Sequence, residues 1–281
     1  MMLSFPKKNI NIAIAQTTSK DGDIEGNVKQ AISLINEAGK NKVDLIVFPE
    51  KYLTGYVPDI IEKDTNKYTI IPNDQRLANL RAICKLNKIC AVIGTPMKRD
   101  NKLYISSVII DRNGVEVSYY DKSQLFKSEK KLFTTNNKQT IIEVNEWRIG
   151  MAICYDAGFA EHSRFLAQNG SHIYLNSSLF SKGMGNQELD IWLPARSLDN
   201  TIYSIVANHV GKTGIWDTCG QSGVWSPLGT KILKGETDKA GLLSIKLSPD
   251  VLEEARKKES MLLDSPMFTN SDSTLEVIKI D

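Results

Sequence analysis

The fold of this protein is decided by the stretch WRIGMAIC, residues 147–154, an apolar run that ends on the thiol of Cys154. A short apolar run of this kind predicts a buried β-strand. The chain downstream predicts a helix over residues 160–169, closed by Gly170 as a C-cap, and then an apolar strand over residues 173–175. A strand, a helix and a second strand in succession are typical of α/β folds.

Upstream of this unit, two more predicted strands end on reactive side chains. VDLIVFPE, residues 43–50, ends on the carboxyl group of Glu50, and VEVSYYD, residues 115–121, is followed by Lys122. In α/β folds the functional groups gather where strands end. We therefore expect these two side chains to meet Cys154 at one edge of the fold.

The remaining periodic segments complete a mixed α/β pattern. An Asn-Gly turn at residues 113–114 predicts a hairpin between two strands. The other predicted strands cover residues 10–16, 89–94, 103–111, 140–144, 203–207, 222–225 and 242–247, and the other predicted helices cover 27–40, 74–87, 187–200 and 251–259. With neither a repeat nor a linker, residues 1–281 are predicted to form one domain of layered sheet with helices outside.

Composition excludes several classes of function. With 35 basic and 33 acidic residues the net charge is +2, which lacks the basic excess of nucleic-acid-binding proteins. There is no apolar run of membrane-spanning length, and the polar stretch Met1 to Lys8 does not predict a signal peptide. Three histidines and four cysteines without C-x-x-C spacing do not predict a metal site. We expect a cytoplasmic protein in which a lone thiol stays reduced.

The three strand-end residues supply complementary chemistry. A cysteine nucleophile needs a nearby proton acceptor, because the free thiol is mostly protonated at neutral pH. Glu50 fits that role, since a carboxylate at the end of an apolar strand has to be paired or hydrogen-bonded. Lys122 could pair with Glu50 and stabilise an oxyanion, and the backbone N–H of Tyr155 is a second candidate donor.

At this point the chain resembles the nitrilase (carbon–nitrogen hydrolase) superfamily, whose members use a Glu-Lys-Cys triad. The resemblance covers nearly the whole chain through blocks in the family's order. These are FPE with TGY (residues 48–50 and 54–56), YDKSQLF (120–126), GMAICYD (150–156), ARSLDN (195–200), ANHVG (207–211) and GQS (220–222). ARSLDN departs from the family's pattern by Ser197 and Asp199, and Ala160 stands where the family often has proline.

The resemblance implies a fold and further site residues. The expected fold is a four-layer αββα sandwich that pairs into a homodimer, with the helix after the cysteine block in the interface. Glu129 matches the family's second glutamate, which orients the lysine, although Glu143 and Glu146 lie not far along the chain. The segment of Ser177, Ser178 and Leu179 resembles a substrate wall, and Tyr56 is a candidate to line the pocket with it.

The expected function is hydrolysis of a small amide or N-carbamoyl compound through a cysteine thioester, with release of ammonia or an amine. Tyr155-Asp156 after the cysteine resembles the amidase and carbamoylase branches, whereas true nitrilases usually have Trp-Glu there. No cofactor is expected, because the thiol itself does the covalent work. Two alternatives remain open, namely a non-catalytic binding protein on the same fold and an amine-directed acyltransferase.

Overall fold

The computed structural model describes residues 4–266 and 273–280, so the first residues of the Met1 to Lys8 stretch lie outside the described part. Its strands are β1 (Ile10–Gln16), β2 (Leu45–Val47), β3 (Cys90–Arg99), β4 (Lys102–Ile110), β5 (Glu116–Asp121), β6 (Lys138–Val144), β7 (Trp147–Ile153), β8 (Ile173–Ser178), β9 (Tyr203–Asn208), β10 (Val210–Thr213), β11 (Trp216–Cys219), β12 (Gly223–Trp225), β13 (Lys231–Lys234), β14 (Gly241–Leu247) and β15 (Thr274–Lys279). Its α-helices are α1 (Ile24–Lys40), α2 (Pro58–Lys63), α3 (Thr65–Tyr68), α4 (Ala78–Asn87), α5 (Ala160–Gln168), α6 (Met184–Asn200), α7 (Pro249–Lys258) and α8 (Met261–Asp264).

The strands form two large sheets. The first has six strands in the order β14-β1-β2-β3-β4-β5, and the second has seven in the order β13-β12-β9-β8-β7-β6-β15. Neighbours β1, β2 and β3 run parallel, as do β7, β8 and β9. The remaining pairs are antiparallel, apart from the parallel pair β6 and β15.

Alternate residues of the central strands belong to different hydrophobic cores. In β1, Ile12 and Ile14 pack into the core between the two sheets, whereas Ala13 and Ala15 pack under the helices of the first sheet. In β7, Ala152 packs under the helices of the second sheet. Because successive strand residues point to opposite faces, three cores separate four layers. The four-layer αββα prediction is confirmed.

The outer helices follow the predicted periodicity. Helix α1 buries Val28, Ala31, Ile35 and Ala38 on one face, and the side chain of Asp23 caps its start by accepting a hydrogen bond from the Gly26 N–H at 2.8 Å. Helices α1 and α4 cover the first sheet, and α5 and α6 cover the second. The site is therefore built on strands that are packed on both faces.

The structure adds elements that the sequence did not predict. The hairpin β10–β11, the edge strand β13, the short helices α2, α3 and α8, and strand β15 were all missed. Strand β15 pairs with β6 at the edge of the second sheet, where its apolar Leu275 and Val277 are exposed. Its sequence, TLEVIK, has no continuous apolar run and therefore did not predict a buried strand. The predicted helix over 74–87 begins instead as a short 3-10 turn, Gln75–Leu77, before α4.

No helix in residues 4–266 or 273–280 is both long and apolar enough to cross a lipid bilayer.

Candidate active site

Glu50 and Lys122 form a buried ion pair at the carboxyl ends of β2 and β5 in the first sheet. Glu50 lies in the turn after β2, and Lys122 directly follows β5. The Nζ of Lys122 lies 2.8 Å from Oε1 of Glu50, and the two side chains are 1% and 0% exposed. The other Glu50 oxygen, Oε2, is buried and has no hydrogen-bond partner among the described residues. One carboxylate oxygen is thus left available to a reacting group.

Glu129 is the second carboxylate on the same ammonium. Its Oε1 accepts from Lys122 at 2.9 Å and from the hydroxyl of Tyr56, and its Oε2 accepts from the Phe126 N–H at 2.7 Å. The structure thereby brings Glu129 to Lys122. The alternatives lie elsewhere: Glu143 is in β6, and Glu146 accepts from the Lys7 N–H at 3.0 Å.

The surroundings move the pKa values of the two glutamates in opposite directions. Burial raises the pKa of Glu50 above its usual value, and the attraction of Lys122 offsets this only in part. Burial acts in the same direction on Glu129, but Lys122 and Lys51 outweigh it and lower the pKa of Glu129 to about 2. Glu50 is therefore suited to carry a proton, and Glu129 to remain charged.

Lys51 is a second buried ammonium that the sequence did not single out. Its side chain is 2% exposed, and its Nζ lies 3.7 Å from Oε1 of Glu129 and 3.1 Å from the centroid of the Tyr56 ring. Burial lowers the pKa of Lys51 to about 8, against the pull of Glu129 and Glu50. A lysine directly after Glu50 was the available signal, but a lysine at a strand end is usually solvated. The cluster thus balances two carboxylates with two ammonium groups.

Cys154 directly follows β7 of the second sheet and shares a cavity with Lys122 of this cluster. Its backbone is left-handed, with φ of 45°, a conformation that non-glycine residues adopt mainly where surrounding contacts impose it. Asn176 in β8 supplies those contacts, because its Oδ1 accepts from the Cys154 N–H at 2.6 Å and its Nδ2 donates to the Cys154 carbonyl at 3.3 Å. Burial, followed by the Glu50 carboxylate, raises the pKa of the Cys154 thiol well above its usual range.

Cys154 also differs from the other thiols in accessibility. Cys84, Cys90 and Cys219 are buried, whereas Cys154 is partly exposed. Burial raises the pKa values of these three to about 12, 11 and 11. Of the four thiols, only Cys154 is open to a molecule from solvent.

The segment after Cys154 presents a backbone donor and ties the site together. A short 3-10 helix, Cys154–Gly158, begins here, and Tyr155 lies in its first turn, where backbone N–H groups have no partner within the helix. The buried carboxylate of Asp156 accepts from the Gln124 N–H at 2.8 Å and from the Tyr120 hydroxyl at 2.8 Å. Asp156 therefore links the cysteine segment to the chain on both sides of Lys122.

His209 and Gly94 hold the Glu50 turn from two sides. The Nε2 of His209 donates to the backbone carbonyl of Glu50 at 2.6 Å, and burial lowers the pKa of His209 to about 4, so the ring stays neutral. A Cβ at Gly94 would lie 2.1 Å from the carbonyl oxygen of Pro49 and 2.9 Å from the Cα of Glu50. Strand β3 can approach the turn this closely only because residue 94 is glycine.

A cavity of about 440 Å³, counted with its open mouth, gives access to Cys154 and Lys122. Tyr56 and Leu179 line it, and the Leu179 carbonyl lies 3.4 Å from Sγ of Cys154. The remaining lining residues are Phe126, Tyr155, Ser181, Gly185, Glu188, Trp192 and Trp216.

Ser177 and Ser178 do not belong to this wall. Strand β8 continues through Ser178, and both serines are fully buried in the sheet. The Ser178 hydroxyl donates to Oδ1 of Asn176, behind the cysteine. The sequence-based placement of these two residues on the substrate wall is corrected accordingly, because the strand is longer than predicted.

Comparison with known sequences points to one family. The sequence model described as carbon–nitrogen hydrolase matches residues 11–257. A probable nitrilase of Schizosaccharomyces pombe is 28% identical over 256 residues, which cover 88% of this chain and 92% of that protein. An (R)-stereoselective amidase of a Pseudomonas species is 25% identical over 269 residues, which cover 94% of each.

Solved structures agree with the sequence relatives. A glutamate variant of the amidase from Nesterenkonia sp. AN1 carries the acetamide moiety of fluoroacetamide, added covalently at the active-site cysteine. It matches with a TM-score of 0.79 at 25% identity, covering 91% of this chain and 97% of that one. A cysteine variant of that amidase in complex with butyramide matches with a TM-score of 0.78 at 25% identity, covering 90% and 97%.

Proposed function

This chain belongs to the carbon–nitrogen hydrolase family, and we propose that it cleaves a small amide or N-carbamoyl compound through a thioester on Cys154. The observation that carries the proposal is that Lys122, which pairs with Glu50 at 2.8 Å, lines the same cavity as the Cys154 thiol, while burial raises the pKa of Glu50. A nucleophile and a cation thereby share one cavity, and the proton carrier contacts that cation directly.

In the first half-reaction the enzyme is acylated. Glu50 accepts the thiol proton of Cys154 as the sulfur attacks the amide carbonyl carbon, and a C–S bond forms. The oxyanion that develops is stabilised by the Lys122 ammonium and the Tyr155 N–H. Glu50 then donates its proton to the leaving nitrogen, the C–N bond breaks, and ammonia or an amine departs. The unpartnered Oε2 of Glu50 supports this role as acceptor.

In the second half-reaction water hydrolyses the thioester. Glu50 accepts a proton from water, the hydroxide attacks the acyl carbon, and the C–S bond breaks. The proton on Glu50 returns to the sulfur, which restores the thiol, and the carboxylic acid is released. The raised pKa of Glu50 suits a group that gains and then loses a proton in each of the two half-reactions.

Glu129 acts in this scheme by holding Lys122 in place. Its pKa of about 2 keeps it ionised, so Lys122 retains a charged partner while Glu50 is protonated during the cycle. The pair of contacts to Lys122, at 2.8 Å from Glu50 and 2.9 Å from Glu129, supports this division of roles.

We also propose that residues 1–281 form one domain and that two copies pair through the surface of α5 and α6. Ile191 and Leu198 lie seven residues apart on α6, hence on one helical face, and both are exposed. The four free cysteines support a reducing, cytoplasmic location. Light scattering on the purified protein would test the dimer.

The proposed activity is tested by ammonia release across small alkyl amides, monoamides of dicarboxylic acids, N-carbamoyl compounds and nitriles. Release by the wild type but not by Cys154→Ala is expected, with amides or N-carbamoyl compounds as the best substrates. Equal release by both proteins would contradict the proposal. Addition of an amine distinguishes hydrolysis from acyl transfer, because transfer would convert the amide into a substituted amide.

A further inference from the structure

The cavity above Cys154 has a wall of five aromatic rings in series. Ring centroids lie 6.0 Å apart for Tyr56 and Trp216, 6.4 Å for Trp216 and Phe126, 5.4 Å for Phe126 and Tyr155, and 6.1 Å for Tyr155 and Trp192. All four contacts are edge-on. Aromatic ring faces carry negative potential, and they attract cations that leave water.

Glu188 adds a full negative charge to this wall. Gly185, Glu188 and Trp192 line the cavity from α6, at the spacing that places residues on one face of a helix. Within residues 4–266 and 273–280, the Glu188 carboxylate makes neither a hydrogen bond nor an ion pair. Partial burial raises the pKa of Glu188, as expected for a carboxylate that lacks a partner.

The same cavity offers no free positive charge to an anionic substrate. Among its described lining residues the only cation is Lys122, which already contacts Glu50 and Glu129. Lys182, just before α6, is paired with Asp217 at 3.0 Å. A carboxylate at the far end of a substrate would therefore meet Glu188 without a compensating partner.

We propose that Glu188 and the aromatic wall select amides whose far end carries a positive charge, such as a primary ammonium or a guanidinium group. This inference rests on the proposed function, because it names the substrate class of that cavity. The amide end reaches Cys154, and the cationic end pairs with Glu188 beside Trp192. The inference favours amides of ω-amino acids over monoamides of dicarboxylic acids.

The test compares three amides of matched chain length, with a terminal ammonium, a terminal methyl group or a terminal carboxylate. We expect kcat/KM to be roughly 10- to 100-fold higher for the cationic amide than for the neutral one, the range of a charged hydrogen bond. The anionic amide should be the poorest. In Glu188→Gln the ratio of cationic to neutral kcat/KM should fall towards one.

Asp190→Asn is the matched control. Asp190 lies on the same helix, pairs with Lys231 at 2.7 Å and does not line the cavity, so its removal changes the net charge equally. The preference should survive in Asp190→Asn. Neutral amides cleaved as well as cationic ones by the wild type, or an unchanged ratio in Glu188→Gln, would overturn the inference while leaving the proposed function intact.

Binding of the same three amides to Cys154→Ala, measured by calorimetry, separates the two claims. Tighter binding of the cationic amide that is lost in Cys154→Ala/Glu188→Gln supports the inference even without turnover by the wild type. Equal binding of all three amides overturns it.

Discussion

Glu50 and Glu129 contact the same ammonium, that of Lys122, yet their pKa values are displaced in opposite directions. Burial dominates at Glu50 and raises its pKa, whereas Lys122 and Lys51 together outweigh burial at Glu129 and lower its pKa to about 2. When the pKa values of two carboxylates differ in this way, one can transfer protons, here Glu50, while the other, Glu129, stays ionised.

The acid limb of kcat/KM should report Glu50. The ionised form accepts the thiol proton, so activity is present above the pKa of Glu50 and is lost as the pH falls through it. Because that pKa is raised from 4.5, the pH at which half of the activity has been lost on acidification should lie above 4.5. Glu50→Gln should lower kcat roughly 10²- to 10⁴-fold with the fold retained. A half-point at or below 4.5 in the wild type would show that another group controls the limb.

Removing the Lys51 charge should shift that limb to higher pH. Lys51 favours the ionised form of Glu50, so Lys51→Met leaves two carboxylates on one ammonium and makes Glu50 easier to protonate. The measurement is the pH profile of kcat/KM, with the exposed Lys67→Met as the control. If Lys51 were merely structural, Lys51→Met would lower the free energy of unfolding and leave the acid limb of kcat/KM at its wild-type pH.

Lys122→Met should reduce both activity and stability. Loss of an oxyanion donor lowers kcat roughly 10²- to 10³-fold, and two buried carboxylates left without their shared partner cost about 3–5 kcal/mol of unfolding free energy. The double variant Lys122→Met/Glu129→Gln should recover part of the stability but none of the activity. Urea unfolding and kcat, measured on both variants, separate the two effects. Recovery of both stability and kcat in the double variant would show that Lys122 has only a structural role.

Gly94→Ala, a substitution in β3, should displace the turn that holds Glu50 and so reduce activity. Its new Cβ would lie 2.1 Å from the Pro49 carbonyl oxygen, a backbone atom, so the Glu50 turn has to move. We expect a large loss of kcat even in protein that remains folded. Gly241→Ala is the control, because a Cβ there meets no atom within 4 Å. Equal kcat in the two variants would mean that the turn tolerates displacement.

The sequence predicted those residues of the site that lie at the ends of strands. Glu50, Lys122 and Cys154 each come shortly after an apolar run, and apolar runs are the strongest local signal of a buried strand. Their meeting depends on which strand ends share an edge, and the order of the motif blocks supplied that information. The four layers followed from the same resemblance, and the alternation of Ile12 and Ala13 between cores explains them physically.

The residues that were missed depend on long-range packing. Lys51 is buried only because Glu129 and Tyr56 come from other segments to surround it. Glu188 lies within the predicted helix over 187–200, but it reaches the cavity because α6 packs against the segment after Cys154, where Arg196 donates to the Ala157 carbonyl at 2.8 Å. Ser177 was misplaced for a related reason, since the end of β8 is set by pairing with β9 rather than by its own sequence.

The most direct test of the central claim is capture of the acyl-enzyme. Wild type and Cys154→Ala are mixed with a small amide, quenched in acid within the first turnovers, and analysed by intact mass and peptide mapping. We expect an added acyl group on Cys154 in the wild type, together with released ammonia, and neither in Cys154→Ala. Ammonia release at the wild-type rate by Cys154→Ala, or an acyl group on another residue, would contradict it.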